Sequence, residues 1–214
     1  MSRKLQKHSK MFKPIVLNTK DVLWSSDFHH GHNKPFIFEK RGKTDIQEHD
    51  SHQLDAINAR GGPGATLIHL GDIILGQDSA PRLEKLLGEL NFYDIYLLPG
   101  NHYSGLIQLY NKYGSRFTLN DRRIIILPNY AEFVANGQAV VTSHYPMVSW
   151  NGQSHGSWHF HGHCHGNLVG TEIGNILYKQ RCLDVGMDKF PNGISYDDAN
   201  EIFKNRIVHA PDHH

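Results

Sequence analysis

The chain is poor in cysteine: Cys164 and Cys182 are its only two in 214 residues. Two thiols cannot build a disulfide framework, and a reducing, cytoplasmic setting is expected. It has no long apolar run, so no membrane span is read. The opening MSRKLQKHSKMFK is basic but lacks the apolar stretch of a secretory signal. Residues 1–13 are read as a flexible basic tail, 14–209 as a single domain and 210–214 as a second tail. There is no surplus of one charge either, with 22 Lys plus Arg against 21 Asp plus Glu. Nucleic-acid binders usually concentrate basic residues on one face, so a nucleic-acid partner has weak support, from the first tail alone. Internal repeats and low-complexity segments are missing as well. What the chain has in quantity is histidine, 17 residues, four of them in the stretch HFHGHCHG, His159 to Gly166.

Short apolar runs stop at polar signals. DVLWSS, Asp21 to Ser26, stops at Asp27-Phe28-His29, and ATLIHL, Ala65 to Leu70, stops at Gly71-Asp72. YDIYLLPGNH runs into Gly100-Asn101-His102, QAVVTS into His144, and SWHF into His161-Gly162-His163. Each run reads as a buried strand. Between the first three lie helical patterns: Ile46 to Arg60, ended by Gly61-Gly62-Pro63; Pro81 to Leu90, with Pro81 at the first helical position; and SGLIQLYNKYG, closed by Gly114. RRIIILPN, Ala131 to Ala135 and GNILYKQRCLDV read as further strands, and Ser195 to Asn205 as a last helix. Helices alternating with buried strands imply an α/β protein with a parallel or mixed sheet. The later strands imply a second sheet packed on the first.

The strand ends carry a coherent donor set: Asp27, His29, Asp72, Asn101, His144, His161 and His163. The carboxyl ends of strands are where open α/β folds place their chemistry. Seven N and O donors exceed one tetrahedral zinc and suit two divalent ions sharing a carboxylate. In Asp27-x-His29 and His161-x-His163, extended backbone would send both side chains to the same side. Singly, each residue has a bland reading as a turn cap or a satisfied buried histidine. Together, in order and at strand ends, they point to metal.

The set DFH, GD, GNH, a later single histidine and GHCH resembles the ordered motifs of the calcineurin-like metallophosphoesterases, over Leu23 to Asp188. SDFHHGHNKPF, HYPMVSW and LDVGMD are similar to its small, cap-less bacterial and phage branch. The resemblance implies a four-layer α-β-β-α sandwich with two mixed β-sheets. It implies two divalent ions, manganese first, with iron, zinc, nickel or cobalt as alternatives. Asp27, His29 and His163 would hold one ion, Asn101, His144 and His161 the other, and Asp72 would bridge them. His102 would be the proton donor to the leaving group. The implied activity is hydrolysis of a phosphomonoester or phosphodiester by in-line attack of an activated water, on a phosphate-ester small molecule, a nucleotide or a nucleic acid end. The alternative is a catalytically weak or silent, metal-stabilised binding module of the same fold.

Arg41 and His32 are candidate substrate contacts by the same resemblance. Trp150, beside the Gly- and Ser-rich loop 151–157, is a candidate stacking residue. His159 is read as structural, His165 as a cleft-mouth or solvent-facing residue, Cys164 as a half-buried thiol and Cys182 as core. One departure from the family pattern is visible: the acidic residue that usually follows Gly-Asn-His is Tyr103 here.

Overall fold

The computed structural model describes residues 13–208, apart from 18, 20 and 77. Both tails proposed from the sequence lie almost wholly outside the described residues. The first sheet has the order β1-β7-β8-β9-β10, from Ile15–Val16, Tyr130–Ala135, Gln138–Ser143, Trp158–His161 and Cys182–Asp184. The second has the order β11-β2-β3-β4-β6-β5, from Ile194–Ser195, Val22–Ser25, Gly62–His69, Phe92–Leu97, Arg122–Ile126 and Arg116–Leu119. Both are mixed: β2, β3, β4 and β6 run parallel, as do β8, β9 and β10, while β5, β7 and β11 each make an antiparallel pair.

The period-two alternation of the strands separates two cores. Leu23, Ala65, Leu67, Ile95 and Leu97 face α2 (Ile46–Asn58), α3 (Ser79–Glu89) and α4 (Ser104–Tyr113), where Ile57, Leu83, Leu87, Leu106 and Leu109 meet them. Their neighbours Val22, Trp24, Ile68 and Leu70 point the other way and pack on Phe133, Val140, Trp158 and Phe160 of the first sheet. On the far side of that sheet, Val141 and Cys182 contact Trp150 and Leu177, the latter from α5 (Glu172–Leu177). The molecule is therefore an α/β protein with two mixed sheets packed together and helices outside.

Element limits follow local chemistry. Asp45 caps α2 by accepting from the Glu48 N–H, and Ser195 and Asp198 form a reciprocal capping box on α6 (Tyr196–Phe203). Two readings change. Helix α3 starts at Ser79, so Pro81 sits third, where its missing N–H still costs nothing. GNILYKQRCLDV is not a strand throughout: Thr171 caps α5 by accepting from Gly174 N–H, and only Cys182–Asp184 is extended. A short helix, α1 (Pro35–Phe38), precedes Arg41 and has no counterpart in the sequence reading. Among the described residues, no helix is long and apolar enough to cross a membrane.

Candidate metal centre

Five strand ends converge. β2, β3 and β4 deliver Asp27, Asp72 and Asn101, while β8 and β9 deliver His144 and the turn that holds His163 and His165. Main-chain bonds lock the loops together. Asp27 N–H donates to Gly71 O at 3.0 Å, His29 N–H to Asp72 O at 2.9 Å, and Gly162 N–H to His144 O at 3.0 Å. Two glycines permit the approach: a Cβ on Gly100 would stand 2.0 Å from Asp72 Oδ1, and one on Gly162 would stand 2.0 Å from Ser26 Oγ. The backbone bends sharply here. Asp27, His29, Asp72, His163 and His165 all have positive φ, between 50° and 68°. Left-handed backbone at non-glycine residues concentrates at functional sites.

Two groups of donor atoms result, sharing Asp72. In the deep half, His29 Nε2 lies 3.2 Å from His165 Nε2, 3.8 Å from Asp72 Oδ2 and 4.0 Å from Asp27 Oδ1. His165 Nε2 lies 3.8 Å from Asp27 Oδ1. In the open half, His144 Nε2 lies 3.4 Å from Asp72 Oδ2 and 3.1 Å from Asn101 Oδ1, which is 2.9 Å from His163 Nδ1. Donors held about 2.1 Å from one ion stand about 3.0–4.2 Å from each other. Both halves match that spacing.

The chemistry of the donors agrees. His144 Nδ1 bonds to Leu70 O at 3.0 Å, which turns the Nε2 lone pair toward two oxygen acceptors. His165 Nδ1 bonds to Asp188 Oδ2 at 2.6 Å, which turns its Nε2 toward His29. Acceptors that face one another are relieved by a cation between them, either a proton or a metal ion. Burial raises Asp27 to about 6, outweighing the nearby His144 and His165. Burial holds His29 down at about 2 and also lowers His163, leaving neutral imidazoles of the kind a metal binds. Burial opposes a proton on His144 too, but Asp72 and Asp27 outweigh it and raise its affinity for one. Asp72 is itself raised by burial, yet the His144 hydrogen bond and charge and the His102 N–H hold it below the usual carboxylate range.

The structure brings together Asp27, His29, Asp72, Asn101, His144 and His163, and it places two histidines differently from the expectation. His161 stays out of both groups. It is the last residue of β9, fully buried, with Nδ1 near Gly162 O at 2.8 Å and its ring stacked on Tyr178. His163 joins Asn101 and His144 rather than Asp27 and His29. The place expected for His163 is taken by His165. The strand ends at His161, so its alternation does not reach His163; past it the backbone is left-handed at His163 and His165, and the rings meet Asn101 and His29 respectively.

Arg41 is not a phosphate clamp. Its guanidinium donates to Asp27 O at 2.7 Å, Phe28 O at 3.0 Å, His49 Nε2 at 2.9 Å, and Asp188 Oδ2 and Oδ1 at 2.9 and 3.4 Å. All five donors are occupied. It is a brace, fixing the loop of Asp27 and His29 to the carboxylate behind His165. Asp188 is pushed up by burial, but His165 and Arg41 more than compensate and hold it ionised far below its ordinary range. Trp150 is no stacking platform: it is 7% exposed, tilts against His159 and donates from Nε1 to Ser157 O. His32 does lie at the mouth, with Nδ1 3.4 Å from His29 Nδ1 and its ring 6.3 Å from that of His102. His159 is structural, with Nδ1 on Val141 O and Nε2 accepting from Met147 N–H. Cys164 is half-buried, its thiol pushed up to about 11 by burial, and Cys182 is buried. His102 stands at the open edge, its Nε2 4.0 Å from Asp72 Oδ2, and Tyr103 beside it is exposed.

The sequence reading also missed Asp184, which accepts from Gly166 and Gly186 N–H at 2.9 Å each and so shapes the turn after His165. The signal for both second-line carboxylates was the pair of acids in LDVGMD.

No family model and no curated protein matches the sequence. Among solved structures, the chain is similar to a protein of unknown function from Aquifex aeolicus, at TM-score 0.61 and 19% identity, over 85% of this chain and 98% of that one. That likeness concerns the fold alone.

Proposed function

We propose that the chain is a metal-dependent phosphoric ester hydrolase with the fold of the calcineurin-like metallophosphoesterases. The observation that carries this reading is the pair of donor groups sharing Asp72, with the half-exposed His102 at the open edge, near enough to Asp72 and His29 to face the same space. Asp27, His29, Asp72 and His165 would hold one divalent ion, and Asp72, Asn101, His144 and His163 the other. Such ions, when bound, lower the pKa of water to near neutrality and offset phosphoryl charge. The mixed N and O donors suit manganese, with iron, zinc, nickel and cobalt as alternatives.

The chain's own groups supply the rest. Asn101 is a neutral donor, so the open half keeps more positive charge for phosphate oxygens. His102 gives its proton to the departing oxygen as general acid. His32, beside His29 and His102, borders the phosphoryl group. No protein nucleophile is needed.

A second reading has one observation in its favour. The carboxylate that usually backs the histidine is replaced by Tyr103, and Asp72 is the only carboxylate among the described residues within 4.0 Å of His102. A centre with a poorly backed acid would be a weak or silent, metal-stabilised module.

One experiment separates the two: metal analysis joined to hydrolysis of a bis-nitrophenyl phosphate and an alkyl phosphodiester. The hydrolase reading expects two ions per chain and turnover of both esters. His102→Ala then keeps both ions and slows the alkyl ester by roughly 10² to 10⁴, with much less effect on the nitrophenyl ester, whose leaving group departs nearly unaided. Two ions without turnover of either ester would favour the module. A chain that takes up no metal overturns both.

A further inference from the structure

An open groove of about 500 Å³ lies beside the loop that carries Asn101 and His102. Pro99 and Tyr103, which flank the Gly100-Asn101-His102 loop, both line it. Leu106 and Ile125 contribute to its apolar floor, Tyr110 stands beside them, and Arg116 is on the rim. Tyr103 and Tyr110 are seven positions apart at the start and on the body of α4, so they share a face about 10 Å apart. Both rings are about half exposed, at 53% and 45%. Arg116 is exposed and has no ion-pair partner among the described residues.

We infer that this groove receives the leaving group of the substrate, and that the leaving group is a nucleotide. The inference rests on the hydrolase reading above. In an in-line displacement, the departing oxygen lies on the side of its proton donor, and the groove starts at the residue after His102. Its chemistry selects what leaves. An apolar floor between two exposed tyrosines takes a flat aromatic group, as bases stack on aromatic side chains elsewhere. A free guanidinium on the rim takes an anion, and phosphate is its best geometric match. A base with a further phosphate satisfies both. An alkyl or sugar leaving group would leave the floor and the tyrosines without contacts.

The substrate is then a phosphodiester whose leaving group is a nucleotide. The oxygen of water bonds to phosphorus while the bond from phosphorus to the leaving oxygen breaks. One proton ends on that oxygen through His102 and the other is released. The products are a phosphomonoester and a nucleotide with a free hydroxyl group.

The test compares two substrates with the same phosphoryl half: a dinucleotide, and the methyl ester of the mononucleotide. Wild-type protein loaded with manganese should prefer the dinucleotide in kcat/KM. Tyr110→Ala and Arg116→Glu should cut that preference by about 10-fold to 100-fold, mainly through KM. Both positions are exposed, so folding should hold, and an unchanged Tm checks it. Calorimetry with a mononucleotide and metal-free protein gives a readout independent of turnover, expected to weaken at least about tenfold in each variant. If neither ester is hydrolysed but the mononucleotide binds in a manner sensitive to Tyr110 and Arg116, the groove assignment stands and the hydrolase reading falls. If both esters are hydrolysed with equal kcat/KM and neither variant alters turnover or binding, the groove assignment falls and the hydrolase reading stands.

Discussion

The two halves of the centre are built differently. In the deep half, Asp27 and His29 are almost fully buried, and His165 is backed by Asp188, which is itself gripped by Arg41. Arg41 also holds the carbonyls of Asp27 and Phe28, and Gln53 donates to Phe28 O as well. In the open half, His144 is buried and fixed by a main-chain carbonyl, but Asn101 and His163 are exposed and meet each other without a carboxylate behind them. A backed imidazole is oriented before any ligand arrives and is the more basic donor. On the proposed reading, the deep half would hold its ion tightly and exchange it slowly. The open half would hold its ion more weakly and meet an incoming phosphate.

The largest effect should come from the residue common to both. Asp72→Asn weakens both halves at once, so metal content should fall toward zero and ester hydrolysis by orders of magnitude. Near-normal activity with two ions still bound would remove Asp72 from the shared position.

A paired substitution comes next. His165→Ala should lower metal content from two ions to one by taking a donor from the deep half. His161→Ala, at the strand end itself, should retain two. The reverse result in elemental analysis would restore the assignment expected from strand alternation.

Asp188→Asn tests the brace itself. Loss of a carboxylate behind a liganding histidine typically costs about 10- to 100-fold in metal affinity. Titration should show that loss for the tight ion and little change for the weak one. Equal weakening of both would mean the brace is not confined to one half.

The last effect lies outside both halves. Burial holds the imidazole of His159 at about 3, against 6.5 for an exposed histidine. The unfolded chain gains a proton there near pH 6.5 that the folded chain refuses. The stability this group contributes is complete above pH 6.5 and is lost as pH falls toward 3. By pH 4.5 the loss is about 3 kcal/mol. Wild type should therefore lose stability on acidification relative to His159→Gln, and denaturation at pH 7 and pH 4.5 measures the difference. An equal pH dependence in both would mean that His159 is protonated in the fold.

How much could be read from residues alone depended on where each lay relative to a strand. Asp27, Asp72, Asn101 and His144 were legible because an apolar run stops just before each one. His165 was not, because the period-two rule was carried past the end of β9 into a turn of left-handed residues, where it has no force. Arg41 misled because a sequence shows a guanidinium but not the five acceptors around it. Trp150 misled because the glycine-rich loop beside it looked open, while the contacts that bury it come from Leu177 and Cys182, distant in sequence. The fold was more legible than the site's outer ring, since burial periodicity is a local property and hydrogen-bond partnership across more than a hundred residues is not.

The left-handed backbone at the centre also limits how this chain can drift. Among non-glycine residues, aspartate, asparagine and histidine enter that region with least resistance, and positions 27, 29, 72, 163 and 165 are all aspartate or histidine, both metal-binding types. A ligand position here carries two requirements, a donor atom and a tolerance for the bend. Replacement by alanine would fail both, adding roughly 1–2 kcal/mol of strain to the lost donor. Glycine would relieve the bend and lose only the donor. If the proposed hydrolase reading holds, a descendant that abandons catalysis but keeps its shape should thus pass through glycine or asparagine at these five places, and their spread there would be a readable scar of lost chemistry.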